Sequence, residues 1–250
     1  MSRRLLVDAG NTRLKWLWQD DTAEVSRGVT RYEDHDDWTT TLPAVRAGSV
    51  WVGSVAGEKV DTSLKAWASR HDLPAPEFIR VEREALGLRV GYRTLSRLGV
   101  DRYLAMLGAR AVQEGAVCVV DIGTAMTLDA VDDCGMHKGG LIAPGPQTMM
   151  RALLAGTANI MDVSERPPAQ PFALDTAEAV TGGACHAAAA LVDRFVRATS
   201  SLLDAPVTLL LTGGGCERVQ PLLESSGKHM PDLVFDGLAA LASRRRKRHA

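Results

Sequence analysis

The segment that most constrains this chain lies near its start, where residues 5–16 combine an apolar run, an aspartate and a glycine turn. Residues 5–7 are typical of a buried strand, and residues 14–18 alternate at close to the period of a second strand. Gly10 and Asn11 between them tolerate the positive φ of a tight turn. The segment therefore predicts a β-hairpin with a carboxylate at the end of a buried strand, beside backbone N–H groups that can hold a phosphate.

The chain repeats this pattern once. Residues 118–124 are again an apolar run, Asp121, one variable residue, Gly123 and a small polar residue, and alternation resumes at Met126. The correspondence fades beyond the turn, and the alternation slips by one position relative to the first copy. This indicates a repeated hairpin rather than a repeat of a whole domain, and two such hairpins predict two related lobes.

Length and composition favour a globular protein with one large domain or two small lobes. The chain has 250 residues, and 46% hydrophobic with 24% charged residues leaves enough apolar area for a sizeable core. A formal net charge of −1 argues against nucleic acid or a membrane surface as a partner. No stretch approaches the roughly 20 apolar residues that a membrane-spanning helix needs.

The cysteines and the N-terminus predict a cytoplasmic location. Cys118, Cys134, Cys185 and Cys216 are far apart and form no C-x-x-C pair, so neither a zinc ribbon nor a disulfide framework is indicated. The first residues lack the apolar region and cleavage site of a signal peptide. The six histidines show no ligand spacing that predicts a transition-metal site.

Hydrophobic periodicity predicts the remaining elements. The predicted strands are 24–30, 49–55, 139–145 and 206–212, and the predicted helices are 58–71, a helix opening at Gly99, 147–154, 175–203, 216–223 and 232–243. The helix opening at Gly99 should pack by one apolar stripe, and the tract 175–203 should break or kink at Gly182 and Gly183. The basic run 244–248 is predicted to be a solvated end of the last helix.

Three glycine-rich turns follow apolar strands, around Gly10, Gly123 and Gly213. Their spacing is neither the dinucleotide fingerprint nor the P-loop. Two of the turns carry an aspartate, and carboxylates beside phosphate-binding loops suit Mg²⁺, which prefers one or two carboxylates with water and phosphate oxygens. The sequence therefore favours a site for phosphate groups and a cation.

A series of motifs in this chain resembles type III pantothenate kinase, a family in the superfamily of sugar and acetate kinases, actin and Hsp70 chaperones. They are D-x-G-N-T-x-x-K at 8–15, G-x-D-R at 99–102, D-x-G-T at 121–124, G-G-L-I and P-G within 139–145, T-x-x-A-V-x-x-G at 176–183, and L-T-G-G at 211–214. The closing segment 232–238 also resembles the end of that family. The motifs run in order over nearly the whole chain.

The resemblance implies an α/β fold of two RNase H-like lobes of the actin-like ATPase type, 1–114 and 115–250, with ATP in a cleft between them. It implies ATP-dependent phosphorylation of pantothenate to 4′-phosphopantothenate, the first step of coenzyme A synthesis. It also implies a homodimer, with the partner subunit completing each pantothenate pocket. The cofactors implied are ATP with Mg²⁺ and a monovalent cation, K⁺ or NH₄⁺.

The resemblance further assigns roles to individual residues. ATP would be bound by Asp8, Ala9, Gly10, Asn11, Thr12, Arg13, Leu14, Lys15 and Thr124. Asp8 would organise hydrated Mg²⁺, and Asp121 would bind the monovalent cation. Pantothenate would be held by Tyr92, Gly99, Val100, Asp101, Arg102 and Thr176, with Asp101 accepting the proton of its primary hydroxyl.

Several alternatives remain open from the sequence. Asp101 also fits as an ordinary helix-start residue stabilised by the helix dipole, Arg102 as a solvated surface charge, and Thr181 as a rival to Thr176. A kinase or phosphatase of the same superfamily could act on another hydroxylated or carboxylate substrate, although the G-x-D-R motif argues against it. A non-catalytic nucleotide-binding regulator should have lost Asp8, Asp101 or Asp121, and all three are present.

Two departures from the family pattern stand out. Gly215 follows the L-T-G-G motif where many relatives have Asp, which bears on the adenine or ribose side of the site. Ile122 and Met126 occupy the second hairpin where smaller residues are usual. The change at Gly215 does not touch the predicted phosphate-binding or proton-accepting residues, and packing is expected to absorb Ile122 and Met126.

Overall fold

The computed structural model describes residues 3–20, 23–34, 37–43, 45–157, 163–164, 167 and 172–249. These residues form two compact units. The first comprises the described residues up to Val112 together with those from Asp232 onward, and the second is Gln113–Pro231. The grouping differs from the expected lobes 1–114 and 115–250, because the closing helix packs within the first unit. The segment 165–171 contains three prolines and is typical of a surface loop, and most of it lies outside the described residues.

Six α-helices occur in the described part of the chain: α1 (Glu58–Arg70), α2 (Val100–Val112), α3 (Pro146–Gly156), α4 (Thr176–Leu203), α5 (Cys216–Val219) and α6 (Leu233–His249). Helix α4 is continuous through Gly182 and Gly183, so the predicted break is wrong. A glycine inside a helix lowers helix stability by only about 1 kcal/mol relative to alanine. The packing of this 28-residue helix outweighs that loss. Each helix in the described part of the chain is too short or too polar to span a bilayer.

A five-stranded sheet forms the centre of the first unit. Its strands are β1 (Arg3–Ala9), β2 (Arg13–Asp20), β3 (Ala23–Arg31), β4 (Ser49–Ser54) and β5 (Glu77–Phe78), in the order β3-β2-β1-β4-β5. Strands β1 to β3 are antiparallel neighbours, and β4 and β5 run parallel to β1. A separate short hairpin pairs β6 (Glu84–Ala85) with β7 (Leu88–Arg89). The hairpin predicted at residues 5–18 is confirmed.

Helices cover both faces of the first sheet. Alternate residues of β1 and β4, such as Val7 and Val52, pack with Leu64 and Trp67 of α1. The opposite face meets α2 and α6, where a β-carbon at Gly53 would lie 2.5 Å from Leu104 Cδ1. Helix α2 is buried on nearly all sides, from Arg102 to Ala109. The prediction that it packs by a single stripe is therefore wrong.

Glycines bring α2 and α6 into backbone contact. A β-carbon at Gly108 would lie 2.0 Å from the Leu233 carbonyl oxygen, and one at Gly237 would lie 2.1 Å from the Leu104 carbonyl oxygen. Backbone cannot yield as a flexible side chain does, so both positions exclude any larger residue. This pair of contacts fixes the closing helix against the helix that begins with the G-x-D-R motif.

The second unit repeats the sheet of the first. Its strands are β8 (Val117–Ile122), β9 (Ala125–Val131), β10 (His137–Pro144), β11 (Thr208–Thr212) and β12 (Gly227–His229), in the order β10-β9-β8-β11-β12. Strands β8 to β10 are antiparallel, and β11 and β12 run parallel to β8, as in the first unit. The repeat thus covers the whole sheet, and the prediction that it stops at the hairpin is wrong.

The core of the second unit lies between this sheet and α4. It contains Val120, Ile122 and Leu211 from the central strands and Ala188 and Val192 from α4. Buried thiols contribute as small apolar groups, and burial raises the pKa of Cys118 to about 11. This thiol therefore stays protonated and unreactive at neutral pH.

The glycine contacts between α2 and α6 lead to a stability prediction. Gly108→Ala should lower the urea midpoint and cost about 1–3 kcal/mol or more, because the new methyl group overlaps backbone. Gly183→Ala is the matched control, since a β-carbon at this helical glycine meets nothing within 4 Å. It should stabilise by about 0.5–1 kcal/mol. Equal effects of the two variants would contradict the packing argument.

Candidate active site

The first glycine turn joins β1 to β2 and places a carboxylate opposite an ammonium group. Asp8 and Lys15 are direct partners across the antiparallel pair, so their side chains share one face of the sheet. The Gly10 N–H donates to the Arg13 carbonyl at 3.0 Å and closes the turn. Gly10 has no positive φ, contrary to the prediction, and a β-carbon there would lie 3.2 Å from the Arg13 oxygen. Close approach to backbone therefore explains this glycine.

The remaining residues of this motif divide into buried and accessible positions. Ala9 and Leu14 are fully buried, so only their backbone can face a ligand. Asn11 is exposed, and Thr12 is partly exposed. The turn therefore offers a side-chain amide and a hydroxyl beside the Asp8 and Lys15 pair.

Neighbouring elements hold this turn from both sides. The Val55 N–H donates to the Ala9 carbonyl at 2.9 Å, and the Tyr32 N–H donates to the Thr12 carbonyl at 3.4 Å. Burial, together with the carboxylates of Asp8 and Asp61, raises the pKa of Tyr32 above its usual range. Tyr32 therefore stays neutral beside the turn. No local pattern pointed to this residue, because it lies in a polar stretch without periodicity.

The G-x-D-R motif forms the entry to α2. The backbone N–H of Arg102 donates to Asp101 Oδ1 at 2.8 Å, which fixes the orientation of the half-buried carboxylate in the first turn of the helix. A β-carbon at Gly99 would lie 2.4 Å from the same Oδ1 atom. Glycine at position 99 is therefore required for this carboxylate position, and Val100 beside it is buried in the core.

Arg102 joins Tyr92 to this helix entry. Its Nη1 donates to Tyr92 Oη at 2.8 Å, and its guanidinium lies 5.5 Å from the centre of the tyrosine ring. Arg102 is only 4% exposed, so its interpretation as a solvated surface charge is wrong. The structure therefore brings together three of the residues predicted to hold pantothenate: Tyr92, Asp101 and Arg102.

The second glycine turn places Asp121 at the end of the central strand β8. It pairs with Thr127, six positions on, whereas Asp8 pairs with Lys15, seven positions on. The second turn is one residue shorter, which explains the slip in the sequence alternation. Gly213, with a φ of +92°, passes so close that a β-carbon there would lie 2.2 Å from Asp121 Oδ1.

Thr124 lies at the tip of this turn, which is held by the segment that follows β10. Its carbonyl accepts the Gly145 N–H at 3.0 Å and the Thr148 hydroxyl at 2.6 Å. A β-carbon at Gly145 would lie 2.0 Å from the Gly123 oxygen, so the P-G pair at 144–145 packs directly on the turn. The Thr124 residue itself is exposed, and contact with a ligand is open to it.

Thr176 and Thr181 have different environments on α4. Thr176 is the exposed first residue of the helix, preceded by Asp175, whose carboxylate accepts the Glu178 N–H at 2.8 Å. Thr181 is fully buried, and its hydroxyl donates to the Ser164 carbonyl at 3.0 Å. The rival Thr181 is therefore a structural residue, and Thr176 is the threonine that solvent and ligands can reach.

The two departures from the family pattern are in contact with each other. A β-carbon at Gly215 would lie 2.6 Å from Ile122 Cγ2 and 3.0 Å from the Ile122 carbonyl oxygen. The Gly215 N–H also donates to that oxygen at 2.8 Å. The larger Ile122 side chain thus fills the space that a side chain at position 215 would need.

This contact predicts coupled stability effects. Gly215→Ala should destabilise the chain by about 1–3 kcal/mol through overpacking. In an Ile122→Ala background the same change should cost less, by about 1 kcal/mol, because Cγ2 is gone. Urea unfolding of the four variants measures the difference. An identical cost in both backgrounds would show that the two positions do not share this space.

Comparison with known sequences identifies the family. A family model for type III pantothenate kinase matches residues 4–198. A type III pantothenate kinase from Nitrosococcus oceani is 36% identical over 250 residues, covering 95% of this chain and 93% of the relative. Another, from Burkholderia thailandensis, is 35% identical over 254 residues, covering 95% and 97%.

Solved structures share the fold. A Campylobacter jejuni protein assigned to a Baf family of transcriptional activators has a TM-score of 0.64 at 19% identity, covering 97% of this chain and 99% of its own. Component A of (R)-2-hydroxyglutaryl-CoA dehydratase from Acidaminococcus fermentans has a TM-score of 0.56 at 11% identity, covering 98% and 99%. The predicted fold class of two RNase H-like, actin-like α/β lobes is confirmed. From its sequence relatives, the chain belongs to the type III pantothenate kinase family.

Proposed function

We propose that this chain transfers the γ-phosphoryl group of ATP to the primary hydroxyl of pantothenate, giving 4′-phosphopantothenate and ADP as the first step of coenzyme A synthesis. Family membership over most of the chain supports the reaction. The arrangement of Gly99, Asp101, Arg102 and Tyr92 is the observation that carries the proposal at the level of residues. It combines an oriented carboxylate with a buried cation and an aromatic hydroxyl at one helix entry.

Asp101 is the proposed proton acceptor. As the new bond between the pantothenate oxygen and the γ-phosphorus forms, the bond to the bridging oxygen of ADP breaks, and the hydroxyl proton passes to the Asp101 carboxylate. Phosphoryl transfer has a loose transition state and needs from its base mainly correct position. The Arg102 N–H on Oδ1 supplies that position, and the first-turn location favours the ionised form.

The first turn is the proposed site for the ATP phosphates. Lys15 supplies positive charge opposite Asp8, and the side chains of the exposed Asn11 and the partly exposed Thr12 add an amide and a hydroxyl at the tip of the turn. A divalent cation bound with ATP neutralises charge on the phosphate oxygens. The half-buried Asp8 carboxylate at the end of a central strand fits a hydrated Mg²⁺, which keeps most of its water ligands.

Arg102, Tyr92 and Thr176 are proposed to hold pantothenate. A buried guanidinium attracts the substrate carboxylate more strongly than an exposed one, because little water competes for it. The Tyr92 hydroxyl accepts from Arg102 and keeps the guanidinium in place. Thr176 offers a hydroxyl from the exposed start of α4.

Asp121 is the proposed ligand of a monovalent cation, K⁺ or NH₄⁺. The partly exposed carboxylate lies at the end of β8, where Gly213 approaches so closely that a β-carbon would overlap Asp121 Oδ1. Oxygen atoms of carboxylates and backbone carbonyls are suitable ligands for potassium. This environment fits the cation that the family resemblance implies.

We also propose a homodimer in the cytoplasm. The apolar residues of α6, such as Phe235 and Leu238, are buried within the first unit and so give no support to an interface. Exposed apolar side chains of the second unit, Leu141, Ile142 and Leu153, support one instead. Light scattering on the purified chain tests the dimer, and a monomer at assay concentrations would contradict it.

The proposed base gives the first kinetic prediction. Asp101→Asn should lower kcat for pantothenate phosphorylation about a hundredfold or more, because general-base assistance of this kind is lost. The KM for ATP should change little, since ATP is assigned to other residues. Mass spectrometry of 4′-phosphopantothenate formed from Mg·ATP measures the product directly.

A matched variant and the rival functions complete this test. Asp133→Asn, an equal change at an exposed position, should retain full activity. A folded Asp101→Asn enzyme with near-normal kcat would remove Asp101 from the base role. Turnover of ATP with other hydroxylated acids but not with pantothenate would favour another kinase, and ATP binding without any turnover would favour a regulator.

The proposed cation site gives the second kinetic prediction. The wild-type rate should rise with KCl at constant ionic strength, and Asp121→Asn should abolish that rise, because the anionic ligand is lost. A large organic cation in place of K⁺ serves as the ionic-strength control. Unchanged potassium stimulation in the folded variant would assign the cation to other residues.

A further inference from the structure

We propose that Arg83 is a positioning residue for pantothenate, which acts by holding the backbone that carries Tyr92. The inference rests on the proposed contact between Tyr92 and pantothenate. It adds a residue outside every motif of the chain, because Arg83 lies between the predicted elements and before the G-x-D-R segment at 99–102.

Within the described part of the chain, the hydrogen bonds of the Arg83 guanidinium go to backbone carbonyl groups. Its Nη1 donates to the Val90 carbonyl at 2.8 Å and to the Tyr92 carbonyl at 2.7 Å. The Arg83 carbonyl in turn accepts the Val90 N–H at 2.9 Å. One residue therefore closes the β6–β7 hairpin through its backbone and fixes the chain beyond it through its side chain.

The segment that receives these bonds has little regular structure of its own. Between Arg89, where β7 ends, and Val100, where α2 begins, a single short 3₁₀ turn at Leu95–Arg97 is the regular element that the structure describes. Carbonyl groups in such a segment lack the partners that a sheet ladder supplies. A side-chain donor fills that role at Val90 and Tyr92, and it sets the backbone from which the Tyr92 ring extends.

The residue before Arg83 is anchored to the closing helix. The Glu82 carboxylate forms ion pairs with Arg244 and Arg245 of α6, with nitrogen–oxygen distances of 3.3 Å in both. Arg245 also pairs with Glu77, and its guanidinium lies 5.8 Å from the centre of the Trp51 ring. The first part of the basic run is thus an ion-pair network and not the solvated end that the sequence predicted.

These contacts form a continuous path inside the first unit. It runs from α6 through Glu82 to Arg83, from Arg83 to the Tyr92 carbonyl, and from Tyr92 Oη to Arg102. The Arg83 guanidinium is well suited to this position, because its planar fork keeps several donors in fixed directions. A lysine at this position would offer a point charge on a flexible stem, so it should hold the two carbonyl groups less well.

The test compares two arginines of the same hairpin. Arg83→Ala should raise the KM for pantothenate about tenfold, equivalent to about 1.4 kcal/mol, and leave the KM for ATP within twofold. Arg89→Ala is the matched control: Arg89 is exposed and its ion pair with the exposed Glu84, at 3.0 Å, reaches no backbone beyond the hairpin. It should leave both constants unchanged. A general loss of stability would raise neither KM selectively.

A double mutant separates this inference from the proposed function. Tyr92→Ala should itself raise the KM for pantothenate, and adding Arg83→Ala should raise it no further, because no ring remains to be positioned. If Tyr92→Ala raises the KM for pantothenate and Arg83→Ala does not, the positioning role is wrong and the contact between Tyr92 and pantothenate stands. If Tyr92→Ala has no effect, the contact itself is wrong. Fully additive effects would show that Arg83 acts by another route.

A conservative variant keeps the test decisive where Arg83→Ala fails to fold. Arg83→Lys retains the charge with a less rigid donor, and it should raise the KM for pantothenate by a smaller factor than the alanine variant. The same comparison with Tyr92→Ala then applies. A lysine variant with wild-type KM would contradict the requirement for a fixed guanidinium fork.

Discussion

The proposed site depends on carboxylates that lie against glycine backbone. Gly99 approaches Asp101 Oδ1, and Gly213 approaches Asp121 Oδ1, each so closely that a β-carbon would overlap the oxygen. A side chain at either glycine would push the carboxylate away from its position or force the backbone to move. The G-x-D-R and L-T-G-G motifs therefore have a steric reason that is separate from any contact with substrate. The position of each carboxylate therefore depends on the absence of a β-carbon at the neighbouring glycine.

The two sheets show what a sequence repeat preserves. Both have the same order of five strands, yet residue similarity is confined to the aspartate and glycine turns. A strand needs only apolar residues at alternate positions, which many sequences satisfy. A turn that holds an anion or a carboxylate needs particular residues at fixed places. The hairpins could thus be predicted from the residue pattern alone, whereas the architecture common to both units was predicted through the family resemblance and not from periodicity.

The missed features are short or depend on distant partners. Strands β5, β6 and β7 have two residues each, too few to show a period. Arg245 pairs with Glu77, and Gly215 meets Ile122, across separations that no local pattern reports. The burial of a helix is also hard to predict from its sequence. The apolar residues of α2 predicted one buried face, whereas the helix is enclosed on most sides. Most helices and hairpins with strong local signals were predicted correctly, but α6 continues to His249 beyond its predicted end at 243, and the helix predicted at 216–223 becomes a 3₁₀ turn after Val219.

The closing helix α6 positions two elements of the proposed site. The family model ends at residue 198, and α6 lies wholly beyond it. Even so, Gly108 and Gly237 lock α6 against α2, which begins with the proposed base, and Arg244 and Arg245 hold the residue before Arg83. Both the helix that carries Asp101 and the segment that carries Tyr92 thus take their positions from α6. A substitution in α6 should therefore weaken pantothenate binding through these two elements, although α6 contains none of the residues predicted to contact pantothenate.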